Sequence, residues 1–287
     1  WQRGPDGEII RVRSEPEPSP TTAGRPVPAD STVRRRARFG LALRLGLRDT
    51  YDYLGAILVH SFLWTMVTGT AATAGQSLGL RWFAALPPLF AAVLAFLTGV
   101  VALVLVGSPL TAGVFRYARN AAARAEPELY DLAWGFRRAL GKSLGLGAIQ
   151  IAAGLLLAGN CYFYVTRSHP VAVVVGAVFG YLLAFWGVAC LYQWPLLVEQ
   201  ELSPAAAVKK SALLVLDNFG FTALLAVFLA VLTAVLWVTV IGGTLLWAGG
   251  TAMFLTQATR ELLRKYGVLG PDPTLDPIAE ETHDLDR

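Results

Sequence analysis

Residues 219–241 read FGFTALLAVFLAVLTAVLWVTVI, an apolar run without a single charged side chain. A helix of about 20 residues is long enough to cross the roughly 30 Å of hydrocarbon in a lipid bilayer. A helix at the surface of a water-soluble protein would carry a polar stripe along one face, and this run has none. It therefore predicts a transmembrane helix at about 221–241.

Similar runs occur elsewhere in the 287-residue chain, which is 55% hydrophobic and only 15% charged. They cover residues 54–75, 84–106, 144–165 and 171–194, and a more polar run follows at 243–259. Gly242-Gly243 is the expected turn before this last run. The predicted fold is all-α, a polytopic helical membrane protein with about six transmembrane helices. The alternative is five spans, with residues 219–259 forming one long tilted helix or a re-entrant end.

Two tails flank the predicted membrane domain at residues 34–266. Residues 1–33 are polar and rich in Pro, which predicts a disordered tail. Within it, Pro5-Asp6-Gly7 is a turn signal that would support a small hairpin between Gln2 and Arg13. Residues 267–287 form a second tail, which is acidic and contains Pro.

Basic residues mark one side of the predicted bundle. Clusters of Arg and Lys lie before the first span, between the second and third, between the fourth and fifth, and after the last. The opposite side carries only Arg81 and Arg167. Because cytoplasmic loops retain Lys and Arg, this pattern predicts a protein of the cell membrane with both termini in the cytoplasm.

The cytoplasmic segments are expected to be amphipathic helices. Ser108-Pro109 and Ser203-Pro204 each combine an N-cap residue with Pro at the first helical position. A further helix is predicted from Glu126-Pro127 through Gly141-Lys142 into the third span. A basic helix followed by a pair of spans then occurs three times, which suggests a loose internal repeat.

Three short segments carry a resemblance to a known family. Residues 107–120 (GSPLTAGVFRYARN), 131–137 (DLAWGFR) and 193–197 (QWPLL) resemble motifs of the YesL-like bacterial membrane proteins. Members of that family are integral membrane proteins without an assigned activity, and many are encoded near genes for carbohydrate uptake or utilisation. The resemblance implies an accessory role in transport.

Polar side chains within the apolar runs are candidate functional groups, because their burial in lipid is costly. His60, Gln150, Asn160 and Gln193 are of this kind. They would either form hydrogen bonds between helices or line a polar cavity.

A polar stripe is predicted on the helix that follows Pro109. Arg116, Asn120 and Arg124 recur every four residues and so share one face. With Asp131 and Arg137, this face would contact either anionic lipid headgroups or a membrane or cytoplasmic protein partner.

The sequence lacks the patterns of common enzymes. It has no Gly-x-Ser-x-Gly elbow, no His pair at metal-ligand spacing and no complete phosphate loop, and we predict no catalytic residues, no metal, no cofactor and no nucleic-acid partner. Cys161 and Cys190 are expected to be small buried hydrophobic residues. The predicted function is that of a non-enzymatic, transport-associated accessory protein. The alternatives are a channel or carrier for a small neutral solute and an enzyme acting on a lipid-linked substrate.

Overall fold

The computed structural model describes residues 2–3, 9–10, 37–125, 127–128, 130–167 and 169–270. Strands β1 (Gln2–Arg3) and β2 (Ile9–Ile10) pair antiparallel, with Gln2 opposite Ile10. This agrees with the predicted hairpin, although its turn and the rest of the N-terminal tail lie outside the described residues. Residues 271–287 of the C-terminal tail lie outside them as well.

Within the described part of the chain, five helices are long and apolar enough to cross a membrane. They are α2 (Leu54–Trp82), α3 (Pro88–Ala122), α5 (Leu140–Val165), α6 (Pro170–Glu199) and α8 (Phe219–Val238). Large apolar side chains project from them into the surroundings, among them Leu89, Val174 and Val231, which are 73%, 65% and 58% exposed. An apolar surface of this extent is expected to contact lipid. The prediction of an all-α, multi-pass membrane protein is thus confirmed.

The order of the helices matches the predicted repeat. The short helices α1 (Phe39–Asp52), α4 (Asp131–Arg137) and α7 (Pro204–Asp217) each precede a pair of long helices. The pairs are α2 with α3, α5 with α6, and α8 with α9 (Ile241–Lys265). The predicted cap of α7 is also present, because the Ser203 hydroxyl accepts a hydrogen bond from the Ala206 N–H at 3.4 Å.

Two predicted helix boundaries are wrong. Helix α3 continues through Ser108-Pro109 without interruption, because both residues are buried against neighbouring helices. The helix predicted from Pro127 into the third span is divided instead: α4 begins only at Asp131, and a short break at 138–139 separates it from α5.

Helices α8 and α9 form an antiparallel hairpin. The Trp247 indole N–H donates to the Thr233 hydroxyl at 3.2 Å, and at the open end Lys265 Nζ donates to Asn218 Oδ1 at 2.6 Å. The alternative prediction of one long helix over 219–259 is therefore wrong. The turn lies at residues 239–240 rather than at Gly242-Gly243, which belong to the first turn of α9. Helix α9 is less apolar than the five helices above, so a sixth crossing stays a prediction.

The buried core lies toward one end of the bundle. Its largest fully buried side chains include Ile57, Leu146, Tyr192, Met253 and Leu262, which come from four different helices. We call this the basic end. It comprises α1, the second half of α3, α4, the first turn of α5, α7 and the last turns of α6 and α9, with the residues that flank them. Among the described residues from 37 to 270, it carries every Lys and Arg except Arg81 and Arg167.

Candidate functional site

Two glycines let α4 lie directly on α3. A Cβ at Gly135 would overlap the carbonyl oxygen of Pro109, and a Cβ at Gly113 would lie 2.5 Å from the carbonyl oxygen of Leu132. Neither position has room for a larger side chain. This close contact fixes Trp134 of α4 beside the polar face of α3.

A cleft opens where α3, α4 and the start of α5 meet. The guanidinium carbon of Arg116 is 5.2 Å from the ring centre of Trp134, a cation–π distance. The adjoining space of about 340 Å³, which we call the basic cleft, is lined by Arg116, Trp134, Arg138, Ala139, Lys142, Leu197 and Glu201. Three cationic side chains and one carboxylate thus surround it, and its electrostatic potential is expected to be positive.

The cations of the basic cleft have few partners. Within the described residues, no carboxylate forms an ion pair with Arg116, Arg138 or Lys142. Lys142 Nζ donates to the backbone oxygen of Glu201 at 2.6 Å, while Arg116 Nε is buried without a hydrogen-bond partner among them. A buried donor without an acceptor is costly, so the cleft has donors left over for an anion.

The predicted stripe on α3 is divided among different partners. Asn120 Nδ2 donates to Asp131 Oδ2 at 2.8 Å, which ties α3 to the start of α4. Arg137 donates to the Tyr130 hydroxyl, and its guanidinium lies 5.0 Å from the centre of that ring. Of the five predicted residues, Arg116 alone lines the basic cleft. Contact of the whole stripe with lipid or with a protein partner stays a prediction.

Arg124 points to α1 instead. It has a φ of 56°, and this left-handed turn at the end of α3 brings its Nη2 to 3.1 Å from Asp49 Oδ1. The Asp49 side chain is 0% exposed, and its other oxygen accepts a hydrogen bond from Gln257 Nε2 of α9. Burial raises the pKa of Asp49 above its ordinary 3.8, while Gln257 and Arg124 act in the opposite direction.

A second buried carboxylate joins three helices. The side chain of Glu199, at the end of α6, is only 7% exposed, and Arg260 Nη1 of α9 lies 3.0 Å from its Oε1. Arg119 Nε of α3 lies 3.7 Å from its other oxygen. Arg119 also donates to the backbone oxygen of Val198 at 3.3 Å. The basic end is therefore cross-linked by ion pairs with little access to water.

Two of the predicted cavity residues bond to each other. Gln150 Nε2 of α5 donates to Gln193 Oε1 of α6 at 2.8 Å, and Gln150 Oε1 accepts from the Trp194 indole N–H at 3.0 Å. Asn160 lies ten residues further along α5, about 15 Å away, where it donates to the Leu156 carbonyl oxygen of its own helix at 2.7 Å. The structure thus brings Gln150 and Gln193 together and places Asn160 elsewhere.

His60 is the fourth of these residues, and it contacts α3. Its Nδ1 is 2.7 Å from the Ala56 carbonyl oxygen, and its ring centre is 4.1 Å from that of Tyr117. His60 and Gln193 are both 0% exposed, and the Nε2 atom of each has no hydrogen-bond partner in the part of the chain that the structure describes. The four residues do not share one site.

The buried carboxylates at Asp49 and Glu199 were not predicted. The candidate polar residues lie within the apolar runs, whereas these two carboxylates lie near the ends of α1 and α6. One signal was present in the sequence: Asp49 follows Ala42, Leu45 and Gly46 at the spacing of a single helix face, and all four are buried. No comparable local signal marks Glu199, whose partners come from distant helices.

The cysteines lie apart from any candidate site described above. Cys161 and Cys190 are free and half-buried, so they are less enclosed than predicted. Among the described residues, no three His, Cys, Asp or Glu side chains are placed to hold a metal ion.

Comparison with family models, with curated proteins and with solved structures found no match. The resemblance to the YesL-like proteins therefore rests on the three short motifs alone and stays a prediction.

Proposed function

We propose that the protein is a non-enzymatic accessory protein of the cell membrane that is associated with transport. Its basic end, with both termini, faces the cytoplasm. The support for this orientation is the distribution of charge, since the opposite ends of the long helices carry only Arg81 and Arg167 as cations among the described residues. Basic segments are retained on the cytoplasmic side during insertion.

The observation that carries the accessory role is the hydrogen bonding between α5 and α6. Gln150 binds Gln193 and Trp194, so these polar groups hold two helices together. A carrier needs polar or charged groups within the membrane that can exchange a helix partner for a solute or an ion. Gln193 is completely buried and Gln150 is half-buried, so protein encloses most of this pair. The pair of Gln150 and Gln193 thus serves association between helices.

The partner would bind at the basic end. Helix α4 is held firmly by Gly135, and it presents Tyr130 and Phe136, which are 56% and 42% exposed. An aromatic surface beside Arg137 has the composition of a protein interface. The YesL-like resemblance, which includes residues 131–137, suggests a permease for carbohydrate as the partner.

Reconstitution separates this function from that of a carrier. Purified protein in liposomes is expected to leave the flux of labelled neutral sugars at the rate of protein-free liposomes. A flux above that rate that is lost in the Gln150→Leu, Gln193→Leu double variant would establish a carrier and overturn the proposal.

Cross-linking in cells tests the partner directly. A photo-reactive amino acid at Phe136 is expected to form an adduct with a transport permease, identified by mass spectrometry. The same group at Lys209, which is exposed on α7, is the matched control. Adducts that are equal at both positions would argue against a specific interface on α4.

A further inference from the structure

We propose that the basic cleft binds a phosphate group, carried either by the headgroup of an anionic phospholipid or by a small soluble phosphate ester. This site is independent of the proposed partner on α4, because it lies on the side of α4 that faces α3 and α5.

Three separate elements supply the cations. Arg116 comes from α3, Arg138 from the connection between α4 and α5, and Lys142 from the first turn of α5. Arginine offers a planar fork of donors that matches two oxygens of a phosphate, and lysine adds a compact charge. The buried, unpartnered Nε of Arg116 gives this fork a donor that no described residue uses.

The start of α5 adds to the positive potential. Ala139 is the N-cap residue and lines the cleft, and no side chain caps the helix. The first N–H groups of a helix have no acceptor within the helix, and they carry its positive dipole end. Phosphate groups commonly bind at such a position when cationic side chains are close by.

The number of cationic donors favours phosphate over a carboxylate. A phosphate monoester carries about −1.5 to −2 charges and three strong acceptor oxygens, which suits three cations supplied by three separate elements. A single carboxylate is satisfied by one arginine fork. The Glu201 carboxylate leaves the site with a net positive charge, because three cations line the cleft and Glu201 forms its own ion pair with Arg119 at 3.9 Å.

The rest of the lining suits an attached organic group. Trp134 and Leu197 give the cleft apolar walls, and its volume of about 340 Å³ exceeds that of a phosphate alone. A glycerol group attached to the phosphate would fit this space, whether the phosphate belongs to a phospholipid or to a soluble ester. Glu201, which holds Lys142 through its backbone oxygen, forms the rim.

Two binding measurements on the full chain distinguish the sources. In a neutral detergent, titration calorimetry with glycerol phosphate and with inorganic phosphate measures soluble ligands. Native mass spectrometry after release from nanodiscs counts retained phosphatidylglycerol against retained phosphatidylcholine. Each is performed on the native chain, on the Arg138→Gln, Lys142→Gln double variant and on Lys209→Gln, which removes an exposed cation outside the cleft.

The double variant is expected to bind at least about tenfold more weakly, since a hydrogen bond to a charged group is worth about that factor or more. Lys209→Gln should match the native chain. Arg116→Lys, which preserves charge and removes the fork, should also weaken binding and keeps the test valid if the double variant does not fold.

If the cleft variants lose the calorimetric binding, the ligand is a soluble phosphate. If they lose only the retained phosphatidylglycerol, the ligand is a phospholipid headgroup. The proposal is overturned if the native chain binds neither probe, or if the cleft variants bind as tightly as Lys209→Gln. It is also overturned if a poly-glutamate peptide alone binds in a cleft-dependent way, because the site would then recognise acidic protein segments.

Discussion

Replacing Arg124 by Gln removes the cation that faces the buried carboxylate of Asp49. Glutamine leaves the left-handed backbone at this position as strained as before, so the change isolates the charge. Asp49 would retain only the hydrogen bond from Gln257 and would lie in a site with 0% exposure. A carboxylate buried without a cation is strongly disfavoured, and the folded state should lose stability.

The magnitude follows from the geometry of the pair. Removing one partner of a fully buried ion pair costs about 3–5 kcal/mol. Because the Arg124 side chain is 33% exposed, water screens part of the interaction, and we expect about 2–3 kcal/mol. Arg48→Gln is the matched control, since its pair with Asp52 is exposed on both sides at 3.6 Å, and among the neighbouring charges that act on the pKa of Asp49, Arg48 has the smallest effect. Such a pair contributes less than about 1 kcal/mol.

Unfolding by a denaturing detergent, followed by tryptophan fluorescence, measures both variants. Adding Asp49→Asn to Arg124→Gln should restore part of the stability, because it removes the orphaned charge. If Arg124→Gln is no more destabilising than Arg48→Gln, or if Asp49→Asn restores nothing, the account of a buried, cation-dependent carboxylate is refuted.

The stability should also depend on pH in a defined direction. Burial raises the pKa of Asp49 in the folded state above the ordinary 3.8, so the folded state binds its proton more readily than the unfolded state does. The contribution of Asp49 to stability is therefore greatest at acidic pH and is lost as pH rises through the raised pKa. Relative to Asp49→Asn, the native chain should gain stability as pH falls from neutral toward 3.8. The gain should be larger in Arg124→Gln, which lacks the opposing cation.

Three further changes test separate parts of the structure. Gly135→Ala forces a Cβ onto the Pro109 carbonyl and should destabilise by about 1–3 kcal/mol in thermal unfolding, whereas Gly141→Ala, with nothing within 4 Å of its Cβ, should not. Gln193→Leu removes the acceptor between α5 and α6 and should cost about 0.6–1.7 kcal/mol in the same assay; an unchanged midpoint would contradict the structural role of the pair. A fluorescent protein fused after Arg287 should fold and fluoresce, and an alkaline phosphatase there should be inactive; active phosphatase would invert the topology.

The long helices were predictable because lipid imposes a length and a composition on them. Their ends were less so: α2 continues to Trp82 and α6 to Glu199, beyond the apolar runs at 54–75 and 171–194. Hydropathy reports where lipid contact ends, and a helix continues wherever protein or water can accept its polar side chains. The Ser-Pro pairs show the role of tertiary context. Ser203 lies in the loop before α7 and caps that helix. Ser108 lies in the middle of α3, where neighbouring helices bury it.

The basic cleft could not be predicted from residue spacing. Arg116 and Lys142 are 26 residues apart, and they meet only because Gly135 lets α4 lie on α3. The predicted stripe correctly placed Arg116 and Asn120 on one helix, whereas Arg124 lies beyond the end of α3 with a φ of 56°. A helical repeat also carries no information about which other helices approach that face. The same holds for Asp49 and Gln257, which are far apart in the chain and in direct contact.

Helix α9 shows why hydropathy underestimates how deeply a helix is buried within the bundle. Its buried residues include Thr256, Gln257, Thr259 and Glu261, which are polar yet surrounded by protein rather than by lipid. A helix in that position needs partners for its polar groups and does not need an apolar surface on every side. Its orientation follows from the hairpin, because Lys265 at its end contacts Asn218 at the start of α8. The chain thus leaves α9 at the end of the bundle where it entered α8, on the same side as α7.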